Sequence, residues 1–126
     1  MSSDNGVYIG RFRDSKRNYS YRVIHAQSIE NCDFNPNFPD YFTKANIVLY
    51  YGKSQAFTEL SRAWEEAHKK YNEIMEDDYG VCEYGVSQIN YDIPFPNLTV
   101  LEAAHIIDEY WERVETEIEF NFSPKI

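Results

Sequence analysis

The spacing of apolar and polar residues changes several times along the chain, and each change marks an expected element. From Gly6 to Arg13 and from Tyr19 to His25, β-branched and aromatic residues partly alternate with polar ones, and Asp14-Ser-Lys-Arg-Asn18 between them is turn chemistry. The two runs read as a β-hairpin. On its second strand Tyr19, Tyr21, Val23 and His25 share one face, while Ser20, Arg22 and Ile24 share the other. Ala26 to Cys32 has room for one helical turn, and Asp33 to Pro39, with two prolines, is loop. Tyr41, Ala45 and Val48, with Phe42 and Leu49, follow a 3.6-residue period behind Asp40 as N-cap, so Tyr41 to Tyr51 is expected to be helix. Asn46 to Tyr51 also suits a strand, but the period favours helix, with Gly52 closing it. Gln55-Ala-Phe57 is then a short strand, and Thr58 caps the next helix.

From Thr58 to Met75, Leu60, Ala63, Trp64, Ala67, Tyr71, Ile74 and Met75 fall on one side, and Arg62, Glu65, Glu66, Lys69, Lys70 and Glu73 cover the rest. This predicts an amphipathic helix with Trp64 in the core. Val81 to Tyr91 reads as a strand whose apolar parity switches between Val86 and Ile89, which predicts a bulge or an early strand end. Asp92-Ile-Pro-Phe-Pro-Asn97 is a stiff loop. Thr99-Val-Leu-Glu102 is a capping box, and behind it Val100, Ala104, Ile107, Trp111, Val114 and Ile118 recur as one helical seam, which places Trp111 in the core as well. No internal repeat or low-complexity segment interrupts this order. The expected architecture is β-β-α-β-α-β-α, a single α+β domain over 1–126 with a small, mainly antiparallel sheet packed by two long helices.

Composition narrows the class. The 126 residues are 43% hydrophobic and 26% charged, ordinary for a folded domain, but 21 acidic residues against 12 basic ones leave a net charge of −9. Direct, general nucleic-acid binding is disfavoured, because neutralising phosphates needs a basic footprint. No long apolar run predicts a membrane span, and the first residues lack the basic and apolar regions of a signal peptide, so a cytoplasmic location is expected. Cys32 and Cys82 are isolated and read as free, buried thiols.

The charge is not spread evenly. Residues 1–25 carry Arg11, Arg13, Lys16, Arg17 and Arg22 against Asp4 and Asp14, a balance of +3. Residues 99–119 carry Glu102, Asp108, Glu109, Glu112, Glu115, Glu117 and Glu119 against Arg113, a balance of −6. The hairpin is basic and the last helix acidic. At about 100° per residue, Asp108, Glu112, Glu115 and Glu119 lie within about 60° of one another as a carboxylate stripe. Such a stripe either keeps the protein in solution or meets a basic partner, be it the hairpin of a second copy or a nucleic-acid-binding protein.

Candidate chemistry is sparse. His25, His68 and His105 lie on three separate elements with no metal-ligand spacing, so neither a metal nor another cofactor is expected. His25 with Cys32 lacks any loop signature of a nucleophile and base, no phosphate-cradling glycine motif occurs, and no catalytic residue is assigned. Aromatic residues are abundant, at 17% of the chain. Phe38, Tyr50, Tyr51, Tyr79, Phe95, Phe120 and Phe122 fall in loops or at element ends, where a small core does not bury them all, and exposed aromatics are what interfaces recruit. They offer two uses. One is a protein-binding surface made of Asp108, Glu109, Glu112, Glu115, Glu119, Phe120 and Phe122. The other is a small nucleotide ligand held by Arg11, Arg13, Tyr21, Arg22 and His25. A homodimer would use the flank of Leu101, Ile106 and Tyr110.

The run Tyr21-Arg-Val-Ile-His-Ala-Gln-Ser-Ile-Glu-Asn31 resembles a group of small uncharacterised bacteriophage-encoded accessory proteins. Gly6-Val-Tyr-Ile9 before it, Ala56-Phe-Thr58 with Ala63 and Ala67, and Glu83-Tyr-Gly-Val86 belong to the same likeness, which covers residues 6–91. The resemblance implies a phage protein acting in the host cytoplasm, supports helix at 41–51, and supplies no catalytic residue. It directs the protein-binding reading to a host defence or nucleic-acid enzyme, as for anti-CRISPR and other anti-defence inhibitors. It directs the ligand reading to a sponge for a nucleotide immune signal. The acidic last helix lies outside the likeness.

Overall fold

The computed structural model describes residues 5–27, 37–76 and 85–122, with side chains over 6–26, 37–76 and 85–117. Its elements follow the expected order: β1 (Asn5–Arg13), β2 (Tyr19–Gln27), α1 (Asp40–Tyr51), β3 (Ala56–Phe57), α2 (Leu60–Glu76), β4 (Val86–Asn90) and α3 (Val100–Phe122). Ala26 and Gln27 continue β2 rather than begin a helical turn, because Gly6 and Asn5 remain available as ladder partners. Both cysteines and Tyr79 lie outside the described residues.

The four strands form one sheet in the order β3-β2-β1-β4. β1 with β2 and β2 with β3 are antiparallel, whereas β1 with β4 is parallel, so the sheet is mixed but mostly antiparallel. Register divides the side chains between two covered faces. Val7, Ile9, Tyr21 and Val23 pack on α2, where Ala63 and Ala67 are fully buried and let the helix approach closely. Tyr8, Phe12 and Ile24 pack on Ile47 and Tyr51 of α1 and on Tyr91. Burying each large side chain of this kind is worth about 1.5–3 kcal/mol, so both helices hold the sheet.

α1 is the middle layer. Ile47 and Tyr51 face the sheet, while Ala45 and Val48 meet Ala103 of α3 on the other side. A helix buried on two sides has no single apolar stripe, which is why residues 46–51 also suited a strand. Val100 stands against Gly52, where a Cβ would come within 2.8 Å of the Val100 Cγ2, and Phe42 meets the tilted ring of Tyr110 and, edge-on, that of Trp111. α3 therefore runs antiparallel to α1 and rests on α1 instead of on the sheet.

The capping details differ from expectation at two of three helices. Pro39, in an extended conformation, holds the N-cap position of α1, and its carbonyl takes the amides of Phe42 and Thr43. Asp40 is the first helical residue and pairs with Lys44 at 3.7 Å instead of capping. For α2 the carbonyl of Glu59, not Thr58, accepts the first helical bond, from the Ala63 amide. The capping box of α3 forms as read: the Glu102 amide donates to Thr99 Oγ1 at 3.1 Å and the Thr99 amide to Glu102 Oε1 at 3.3 Å. β4 contains no bulge. Val86 pairs opposite Val7 on the α2 face and Ile89 opposite Gly10 on the α1 face, so a sheet covered on both sides accepts apolar residues of either parity. Nor does the strand end at the parity switch: it runs through both residues to Asn90, and the Tyr91 amide still donates to the Arg11 carbonyl before Asp92 turns into the left-handed region at φ 53°.

Candidate functional site

α3 carries the candidate surface, and its rotation decides what that surface contains. The buried line of the helix is Val100, Ala103, Ile106 and Ile107, extended by Tyr110, which lies 4.2 Å from Phe42 between ring centroids. This line is turned by about 55° from the seam expected from the sequence, at 100° per residue. Tyr110 is drawn into the packing, and Trp111, expected in the core, is left 44% exposed at its edge with one edge-on contact to Phe42. A Tyr fits the crowded side because Phe38, Tyr41 and Phe42 form an aromatic wall there.

The rotation exposes Trp111 next to Asp108 and Glu115, its i−3 and i+4 neighbours. Leu101, two turns earlier on the same side as the stripe, is 81% exposed. The exposed face of α3 is thus a line of carboxylates bordered by two large apolar side chains. Among the described residues no cation pairs with Asp108, Glu112 or Glu115; Glu109 alone has a partner on the helix, His105 at 3.1 Å. Thr116 turns inward to the Glu112 carbonyl at 2.8 Å and contributes no charge. Because Tyr110 and Trp111 already meet the first turn of α1, residues 112–122 continue past that end for roughly 16 Å at 1.5 Å per residue. Glu119, Phe120 and Phe122 lie on this continuing backbone, and their side chains are outside the described set.

The expected dimer flank is not one surface. Ile106 and Tyr110 face α1 and its neighbours, whereas Leu101 lies about 140° from Ile106 around the helix. Nor are the five residues of the nucleotide reading gathered together. Arg11, Arg13 and Tyr21 stand on the α2 face of the sheet near the hairpin turn, and His25, on that same face, is exposed at the opposite end, beside Val7. Arg22 is on the other face. Its Nη1 donates to the carbonyls of Tyr51 at 3.1 Å and Ser54 at 2.8 Å, and its guanidinium lies 4.0 Å over the Phe95 ring. It serves the negative end of α1, and burial lowers its pKa, with Asp14 opposing that shift.

Arg11 and Arg13 are engaged with each other's surroundings. Arg11 pairs with Asp92 at 2.6 Å and stands 4.6 Å from the Tyr19 ring centre. Arg13 donates to the Tyr19 hydroxyl at 3.0 Å, which raises its pKa. Tyr19, absent from the expected ligand set, is the centre of this cluster, and its cross-strand position opposite Arg13 is the signal that marks it.

Among the described residues no three His, Cys, Asp or Glu side chains gather to hold a metal ion, and no helix is long and apolar enough to cross a membrane. Tyr51 is the largest departure among the aromatics: although it ends α1, it is fully buried, with its hydroxyl 3.2 Å from that of Tyr91. Trp64 is half-buried against the sheet core, with its ring tilted over His68. No protein-family model, curated protein or solved structure matches the chain.

Proposed function

We propose that this chain is a binding protein whose α3 docks on a basic protein surface and blocks it. The observation that carries the reading is the pairing of unneutralised carboxylates with exposed apolar anchors: Asp108, Glu112 and Glu115 beside Trp111 and Leu101. Charge of this kind steers a basic partner, and a half-exposed Trp at the border of the stripe is the residue type that supplies most of an interface's energy. The stripe is also poorly placed for the helix itself. Its acids repel one another at i,i+4 and crowd the C-terminal half, where the macrodipole favours cations. A basic partner relieves both.

On the resemblance of residues 6–91 to phage accessory proteins, the proposed partner is a host defence or nucleic-acid enzyme met in the host cytoplasm, and the chain is an inhibitor rather than an enzyme. The test is capture of a stoichiometric complex from host lysate with the intact chain, with D108K/E112K/E115K and with W111A, using K69E on α2 as the control. The complex is expected with the intact chain and K69E and is expected to be lost with the other two variants. The same partners and oligomeric state from all four proteins would remove α3 from the account.

A further inference from the structure

The outer edge of β4 is bare among the described residues. β4 ends the sheet, the Val7 amide donates to the Gly85 carbonyl, and the Tyr91 amide donates to the Arg11 carbonyl. In a parallel ladder alternate residues turn both backbone groups to the same side, so Ser87 and Ile89 bond to β1 while Val86, Gln88 and Asn90 face outward. Among the described residues no group bonds to the amides or carbonyls of those three. Natural edges of this kind are blunted by Lys, Pro, an inward charge, a bulge or very short length. β4 has none of these: Val-Ser-Gln-Ile-Asn runs for five residues in regular register without a charge or a proline. β3, at the opposite edge, has two residues, and its chain enters α2 at Leu60.

The outward residues are complementary to a second copy of themselves. Antiparallel pairing about a two-fold axis at Gln88 sets Gln88 opposite Gln88 and Val86 opposite Asn90, so every outward amide and carbonyl is satisfied at once. Moving the axis by one residue leaves Asn90 or Val86 without a partner in β4. Three pairs exchanging two bonds each correspond to about 600–1,200 Å² of interface, at one bond per 100–200 Å². That is the low end of specific interfaces, so the pairing is weak and reversible. Charge favours this edge over the rest of the surface. Two copies of a chain of net charge −9 repel each other, but β4 is uncharged, and just past its end Asp92 is neutralised by Arg11 at 2.6 Å.

We infer that β4 pairs with β4 of a second copy, antiparallel about Gln88, and joins the two sheets into one across a homodimer. This is a different surface from the α3 flank expected from the sequence. The test is sedimentation velocity of the whole protein from about 1 to 500 µM, with amide exchange followed by NMR at the upper concentrations. A monomer–dimer equilibrium with a Kd on the order of 10–100 µM is expected. The amides of Val86, Gln88 and Asn90 are expected to gain protection as concentration rises, while Ser87 and Ile89 are protected throughout by β1. Gln88→Pro removes an outward amide that β1 does not use, and is expected to abolish the dimer with the circular dichroism spectrum unchanged. Gln88→Lys and Gln88→Glu each set like charges across the axis and are each expected to weaken pairing about tenfold, whereas their equimolar mixture restores it. D108K/E112K/E115K is expected to dimerise as the intact chain does. A monomer over the whole range overturns the inference, as does a dimer that the Lys and Glu variants both leave unchanged. Loss of the dimer in the α3 variant overturns it too, by seating the second copy on the acidic stripe. Protection of the three outward amides that is independent of concentration assigns the edge to the same chain and overturns it as well.

Discussion

Gly10 and Tyr51 make the tightest contact of the core. A Cβ on Gly10 would lie 2.9 Å from both Cε1 and Cζ of Tyr51 and 3.0 Å from Cε2 of Phe12. The Tyr51 ring has nowhere to retreat, since it is set edge-on against Phe12 and Tyr91 at centroid distances of 5.5 and 5.7 Å. Gly10→Ala is therefore expected to destabilise the fold by about 1–3 kcal/mol, the usual penalty of overpacking, read as a lower urea midpoint at unchanged slope. A midpoint within error of the original would mean that the ring shifts freely. This contact was not legible in the sequence. Tyr51 ends a helix, and nothing in its neighbours shows that the sheet has a gap opposite it. Gly10, a glycine set between the large residues Val7 to Ile9 and Arg11 to Arg13 of β1, was the available signal. Arg22 was hidden for the reverse reason: strand alternation correctly placed it apart from Tyr21, but composition invited it into a phosphate site, whereas its guanidinium is held by the carbonyls of Tyr51 and Ser54 at and just past the end of α1.

At the scale of the element, α3 shows how far periodicity can be taken. The helix and its capping box were legible because Thr99 and Glu102 are local chemistry. The rotation of the buried line was not, because the seam through Trp111 and the line through Tyr110 are equally apolar and the choice is made by the aromatic wall on α1. The acidic stripe follows from spacing alone, and Asp108, Glu112 and Glu115 are exposed together on one face as expected. A stability measurement separates solubility from docking. In E112Q/E115Q the repulsion from Asp108 and the conflict with the macrodipole are relieved, at about 0.2–0.5 kcal/mol for each pair. Tm is expected to rise by about 2–4 °C while partner capture falls about tenfold. A variant that is stabilised and still captures the partner at full strength would leave the stripe with no role in recognition.

For the whole molecule, element order was legible because the spacing changes at each boundary, but the layering was not. The sequence suggested two long helices on a sheet; the chain instead stacks α2, sheet, α1 and α3, with α3 reaching the sheet only through α1. The polarity of charge also survives at this scale, with the basic hairpin in the sheet and the acidic stripe on the outermost helix. The parallel pairing of β1 with β4 had no local signature at all, since its partners, Val7 with Val86 to Arg11 with Asn90, are separated by two helices and two strands. That pairing sets a kinetic order. The hairpin of β1 and β2 closes over a five-residue turn, on a microsecond scale, whereas the second edge of β1 waits for a segment that arrives only after α1, β3 and α2 have been laid down. Refolding by dilution from urea is expected to show its main phase between milliseconds and seconds, and a reaction complete within about 1 ms in stopped flow would contradict this. Until β4 arrives, a central strand rich in Val, Tyr, Ile and Phe presents a bare row of amides and carbonyls, so the yield of native protein is governed by a race between closure of one chain and pairing with another, and it falls as concentration rises.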